Sequence, residues 1–310
     1  MNELLQTFYG VAGLTLLYFG AEWLVKGGSA IASRCRVSPL IVGLTLVAFG
    51  TSAPELFVSA DAALRGMGNM AAGNVIGSNI CNIVLILGLS ALIAPLNVNP
   101  ILFRRDVPLM IAASLAVAVL CGCFGGIGRI AGAVLFSGMV VYTVSGIIES
   151  RRAPQENAET GKLMCGTLSV ISVVGGLAAL VAGSKLLLAS AVFLSARLGI
   201  PDSVVALTVV AVGTSLPELA TSVVAAAKGE RDIAIGNVVG SNIFNLLGIL
   251  GLSSLLAPIR CPGIGIADIL TMVVTALLLW PIMKTGHRIS RAEGCVLLLI
   301  YVAYTAWLIR

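Results

Sequence analysis

Residues 48–57 read AFGTSAPELF, and residues 211–220 read AVGTSLPELA. Each sets a proline beside a glutamate inside a stretch that is otherwise apolar. Glu55 and Glu218 lie 163 residues apart, as do Asn74 and Asn237, and Asn82 and Asn245. Residues 43–56 and 206–219 agree at ten of fourteen positions. GNVIGSNICN (73–82) and GNVVGSNIFN (236–245) agree at eight of ten. No gap is needed between the two motifs, so the chain carries an internal duplication.

Around these motifs the chain is lipid-like. It is 58% hydrophobic and 11% charged over 310 residues, with a mean hydropathy of +1.04. A soluble domain carries about a quarter charged residues, so this surface must be solvated by lipid. The net charge of +5 is spread over short stretches between apolar segments, which excludes a basic nucleic-acid footprint. The first apolar segment opens on Glu3 and carries Lys26 after its apolar run, the reverse of a cleavable leader, and reads as a retained span. The seven cysteines (35, 81, 121, 123, 165, 261, 295) form no CxxC pair. They read as small packing residues in preference to a Cys121–Cys123 bridge. A single histidine, His287, is too few for a His-based zinc site or proton relay.

A spanning helix needs about 20 mainly apolar residues. Charges, prolines and glycines divide the chain into ten such segments: 4–31, 38–64, 70–97, 106–122, 128–148, 165–196, 202–226, 233–258, 264–283 and 292–309. Several are long and glycine-rich, which predicts tilted or broken helices. With the N-terminus outside, the inner loops hold twelve Lys and Arg and the outer ones five, an asymmetry that places both termini outside the cytoplasm. The one hydrophilic segment, ESRRAPQENAETGK (149–162), reads as a cytoplasmic linker. The expected organisation is therefore a first transmembrane repeat over 1–148, a linker over 149–164 and a second repeat over 165–310.

Five spans per copy is an odd number, so the second copy enters the membrane from the opposite side. The predicted fold is an all-α multi-span membrane protein, with ten transmembrane helices arranged as two inverted five-helix repeats. Such repeats belong to transporters whose site lies near the midplane where the copies meet.

The motifs supply hard oxygen donors. Pro54 and Pro217 lack an N–H, which frees the carbonyls of Gly50 and Gly213; freed carbonyls persist at membrane depth where they face a cavity or ligand. Thr51 and Ser52 precede Glu55 by four and three residues and are predicted on its helical face, as are Thr214 and Ser215 with Glu218. Asn74, Ser78 and Asn82 recur every four residues as a polar stripe, matched by Asn237, Ser241 and Asn245, and all six are candidate cation ligands. Gly73 with Gly77, and Gly236 with Gly240, are spaced for close helix approach. The stripes also admit a reading as interhelical glue. A lone carboxylate in the membrane costs at least ~2.5 kcal/mol, which points the glutamates to function. Two converging carboxylates call for a divalent cation or several monovalent ones. Calcium, with 6–8 oxygens at about 2.3–2.6 Å, suits them better than magnesium.

Together these residues resemble the calcium/cation antiporter superfamily, in the prokaryotic form of its sodium/calcium exchanger branch. The resemblance covers the whole chain and is most specific in GTSAPE and GTSLPE, each followed by GN–GSNI–N. It implies a secondary active antiporter that exchanges Ca2+ for Na+ by alternating access in a prokaryotic plasma (inner) membrane, with no enzyme activity, no cofactor and no obligatory protein partner. Glu55, Glu218, Thr51 and Thr214 would hold calcium. Ala48, Ser52, Ser78 and Asn82, with Ala211, Ser215, Ser241 and Asn245, would hold sodium. Some relatives carry aspartate where this chain has Asn245, so two carboxylates remain here and potassium dependence is not expected. Two protons would neutralise two glutamates equally well, so an H+-coupled or broader divalent-cation antiporter of the same fold is the alternative. An intramembrane hydrolase using Glu55 and Glu218 is disfavoured, because a catalytic pair needs no duplicated Ser and Asn stripes. In the family the first and sixth spans lie together. Glu22 and Lys185, also 163 apart, read either as an ion pair at that seam or as two snorkelling side chains.

Overall fold

The computed structural model describes residues 3–152, 165–198 and 211–308. Within them the helices are α1 (Glu3–Cys35), α2 (Pro39–Thr51), α3 (Ala53–Leu64), α4 (Gly68–Ile93), α5 (Leu102–Cys123), α6 (Arg129–Arg152), α7 (Gly166–Arg197), α8 (Ala211–Thr214), α9 (Leu216–Ala227), α10 (Arg231–Leu256), α11 (Ile266–Lys284) and α12 (Arg291–Leu308). Eight of these are long and apolar enough to cross a membrane, or nine with the bent pair α2–α3 counted as one span. The predicted span over 202–226 is described only from Ala211 onward, and the linker residues 153–164 lie outside the described residues. Glu149 to Arg152, assigned to the linker by their charge, instead continue α6, where Glu149 pairs with Arg105 Nη1 at 2.6 Å.

The expectation of broken helices holds at the motif. α2 and α3 are bent by 49° at Ser52, whose ψ of 7° leaves the helical basin, and Ser215 repeats this between α8 and α9 with ψ 10°. Each break falls two residues before the proline, which cannot donate to the preceding turn. Wider π turns run over Gly43–Val47, Asn82–Ile86 and Phe244–Ile249. Two of them begin at or beside the stripe asparagines, where such turns re-aim side chains.

The all-helical expectation has one departure. Four two-residue strands, β1 (Leu96–Asn97), β2 (Gly126–Ile127), β3 (Ile259–Arg260) and β4 (Arg288–Ile289), form two antiparallel ribbons, β1 with β4 and β2 with β3. Each ribbon joins one predicted repeat to the other.

α1 and α7 pack along their lengths through glycines spaced by seven. A Cβ on Gly20 would lie 2.9 Å from the Gly176 carbonyl oxygen, and one on Gly183 would lie 2.9 Å from that of Gly13, so only glycine permits this approach. The two helices run antiparallel, which corrects the seam reading. Gly13 faces Gly183 and Gly20 faces Gly176, so Glu22 sits near residue 174, about eleven positions or roughly 16 Å from Lys185. Glu22 instead accepts from Lys26 Nζ at 2.7 Å and Lys228 Nζ at 2.8 Å, and Lys185 is exposed. No disulfide joins Cys121 and Cys123, which are both free.

A second repeat-related device was not anticipated. Tyr142 Oη donates to Asp106 Oδ1 at 3.1 Å, tying α6 to α5, and Tyr304 Oη donates to Asp268 Oδ1 at 2.8 Å, tying α12 to α11.

Candidate functional site

The helix breaks bring both glutamates into one buried centre. Glu55 and Glu218 stand in the first turns of α3 and α9, are 0% and 1% exposed, and lie near enough for their charges to repel. Their hydroxyl partners are crossed. Ser52 Oγ donates to Glu218 Oε1 at 2.8 Å, while Ser215 Oγ lies 3.2 Å from Glu55 Oε1 and 3.3 Å from Ser78 Oγ. Thr214 is likewise a side-chain partner of Glu55, and Thr51 of Glu218. The predicted grouping of Thr51 and Ser52 with Glu55 on one helix face is therefore corrected. The chain leaves helical geometry at Ser52, so these hydroxyls reach across to the other repeat.

The stripe residues divide into two roles. Asn74 Nδ2 donates to the Glu55 carbonyl oxygen at 3.4 Å and to Ser59 Oγ at 3.0 Å; Asn237 Nδ2 makes the same pair with Glu218 at 3.3 Å and Ser222 Oγ at 2.9 Å. Both asparagines thus brace the first turn carrying each glutamate against the neighbouring helix. Asn237 Oδ1 also lies 3.1 Å from Thr51 Oγ1, which is 3.3 Å from the Ala48 carbonyl oxygen. That carbonyl accepts the Ser52 N–H at 3.0 Å as well. Ala211 is the first described residue of its segment.

Asn82 and Asn245 are held by a pair that the periodicity had passed over. Asn82 Nδ2 donates to Asn242 Oδ1 at 3.1 Å, and Asn245 Nδ2 donates to Asn79 Oδ1 at 2.9 Å. Asn79 Nδ2 in turn donates to the Asn242 carbonyl oxygen at 3.3 Å. These cross-repeat amides turn the side-chain oxygens of Asn82 and Asn245 away from their donors. Asn82 Oδ1, Asn245 Oδ1, Glu55 Oε2, Glu218 Oε2 and Ser241 Oγ are all buried without a hydrogen-bond partner. Five unpartnered oxygens, four of them in repeat-related pairs, fit a hard cation, because oxygens left bare in a dry interior are otherwise costly. Asn79 and Asn242 were recoverable from the sequence, since both copies of GSNI contain them. Replacing Asn242 by Leu strands the Asn82 amide, and is expected to cost about 1–3 kcal/mol. Thermal denaturation in detergent measures that loss.

The two halves of the shell differ in access. Thr51 and Asn237 are buried, whereas their mates Thr214 and Asn74 are partly exposed. Gly236 and Gly240 pack as predicted, against the backbone of α2 at Leu40 and Leu44, while Gly77 meets no neighbour among the described residues.

Comparison with known proteins gives the family. The family profile described as sodium/calcium exchanger protein matches residues 5–147 and again 168–310. The sodium/calcium exchanger MaX1 of Methanosarcina acetivorans is 34% identical, with 94% of this chain and 95% of that protein covered. The inner membrane protein YrbG of Escherichia coli is 33% identical over 98% of both. The solved structure of the sodium-calcium exchanger NCX_Mj, soaked with zero Na+ and Ca2+, superposes with a TM-score of 0.86 at 32% identity, covering 99% of this chain and 100% of that one. On this evidence the chain belongs to the sodium/calcium exchanger family.

Proposed function

We propose that the protein is a secondary active antiporter that moves Ca2+ against Na+ across a prokaryotic inner membrane by alternating access. The observation that carries this reading is the crossed pair of buried glutamates, each with one oxygen held by a serine of the opposite repeat and one left bare. A single Ca2+ balances both carboxylates, and two or more Na+ balance the same charge, so the cargoes compete for one site. An ion that must be present for the buried charges to be neutral is carried in exchange rather than leaked. Glu55, Glu218, Thr51 and Thr214 are proposed to hold calcium. Ser52, Ser215, Ser78, Ser241, Asn82 and Asn245 are proposed to complete the flanking sodium positions, together with the carbonyls of Ala48 and Ala211. Asn74 and Asn237 are proposed to brace the shell.

The proposed architecture is ten spans in two inverted repeats, 1–148 and 165–310, joined by a cytoplasmic segment at 149–164. Strand parity supports it. Residues paired in one ribbon must lie on one side of the membrane, so an even number of crossings separates β1 from β4 and β2 from β3. Between β2 and β3 stand the long helices α6, α7 and α10, and a crossing by the segment ending at Ala227 makes their number even. The family profile's double match supports the same division. The twelve-to-five cation asymmetry supports both termini outside, with β1–β4 on the inner face and β2–β3 on the outer. Partial exposure on one half of the shell only supports a site reached from one face at a time.

The test is transport. Proteoliposomes loaded with Na+ and diluted into Na+-free buffer are expected to accumulate Ca2+, and collapsing the Na+ gradient should stop uptake. Uptake that follows a pH gradient and ignores sodium overturns the coupling in favour of proton exchange.

A further inference from the structure

Cys121 and Cys261 are distant in sequence, yet their thiols are hydrogen-bond partners, and both are free in this structure. Cys121 lies in the last turns of α5 and Cys261 directly follows β3; both are buried, at 5% and 2% exposure. The backbone builds this approach. Gly126 pairs with Arg260, and the Cys261 N–H donates to the Gly125 carbonyl oxygen at 3.1 Å. A Cβ at Gly126 would fall 2.2 Å from the Ile259 carbonyl oxygen, so the two loops can close together only with glycine at that position.

The duplication supplies an internal comparison. In the β1–β4 ribbon the Val98 N–H donates to the His287 carbonyl oxygen at 2.9 Å, the counterpart of the Cys261 contact. There the positions matching Cys261 and Cys121 are Val98 and Met283, both buried. Valine and methionine satisfy the packing on one face, and a thiol pair takes their place on the other.

We propose that Cys121 and Cys261 form a disulfide site joining the two repeats on the extracytoplasmic face. The inference rests on the orientation proposed above, because disulfides persist outside the cytosol and are reduced within it. The oxidant is a disulfide of the thiol–disulfide exchange class. One cysteine thiolate attacks it, forming a mixed disulfide and releasing one oxidant thiol. The second thiolate attacks the mixed bond, forming Cys121–Cys261 and releasing the second oxidant thiol. The pair loses two protons and two electrons, and the oxidant disulfide becomes a dithiol. Both sulfurs are shielded once β2 and β3 have paired, so the exchange takes place during assembly. Neither cysteine lies on α1 or α7 or in the ion shell, so the bridge acts on stability and leaves transport unchanged.

In the test, spheroplasts are treated with a membrane-impermeant maleimide, then acid-quenched, denatured without reductant, alkylated and digested for mass spectrometry. A peptide linking Cys121 to Cys261 is expected, and both should become alkylatable only after reduction. Reduction of the purified protein in mild denaturant should lower Tm by roughly 5 °C or more, and Cys121→Ser and Cys261→Ser should each remove that sensitivity, whereas Cys123→Ser should keep it. Recovery of Cys121 and Cys261 as free thiols overturns the disulfide. The maleimide reads orientation separately: the exposed Cys123 should react while the exposed Cys35 and Cys165 are spared. The opposite labelling overturns the orientation, whatever the linked peptide shows.

Discussion

Glu55→Gln and Glu218→Gln are each expected to lower sodium-driven Ca2+ uptake by at least about 100-fold while leaving the protein folded. A carboxylate about 2.4 Å from Ca2+ attracts it by about 14 kcal/mol at an effective dielectric constant near 20. Most of that offsets the desolvation of both partners, but a fifth of it retained is about 2.8 kcal/mol, or roughly 100-fold in affinity. The amide keeps the size of the side chain and the contact with the opposite serine, so the melting temperature should hold or rise as the repulsion between the two buried carboxylates is relieved. Radiolabelled Ca2+ uptake in proteoliposomes, with a thermal melt of each variant, measures both quantities. Full transport by either variant would remove that glutamate from the site.

Gly240→Val is expected to prevent folding. A Cβ at position 240 would lie 2.6 Å from both the Cα and the carbonyl oxygen of Leu44. Those are backbone atoms of α2, which cannot yield as a side-chain tip would. Overpacking a core by even a methylene costs about 1–3 kcal/mol, and a branched side chain here separates α10 from α2 along the face that carries the site. The size-exclusion profile of the variant, set beside that of the parent protein, measures this. A monodisperse Gly240→Val protein would show that the α2–α10 contact yields after all.

The broad fold was legible because composition, span length and duplication all point the same way. The chemistry of the centre was legible in type, since proline, glutamate, hydroxyls and amides recur in both copies. Its wiring was not. Helical spacing assigned Ser52 to Glu55, but the chain leaves the helix at Ser52, and spacing arguments fail across a break. Asn79 and Asn242 fell one position off the four-residue stripe and so went unnoticed, although π turns beginning at Asn82 and Phe244 change which residues share a face. The Asp106–Tyr142 and Asp268–Tyr304 clasps escaped for a different reason. Their members are 162 residues apart rather than 163, so a constant offset passes them by. The Glu22–Lys185 pairing failed because matched positions on two antiparallel helices need not be neighbours.

The exchanged ribbons have a consequence for biogenesis. β1 and β2 are made early, yet their partners β4 and β3 come late, on the far side of the second motif. Until then the strand edges of the first half stay unzipped, on both faces of the membrane in the proposed topology, and its glutamate lacks the serine that will cap it. The first half is therefore an unfinished body during synthesis, and the second half acts as its template as much as its copy. Halves produced as separate chains should gain stability only on mixing, each then supplying the partner strands that the other lacks.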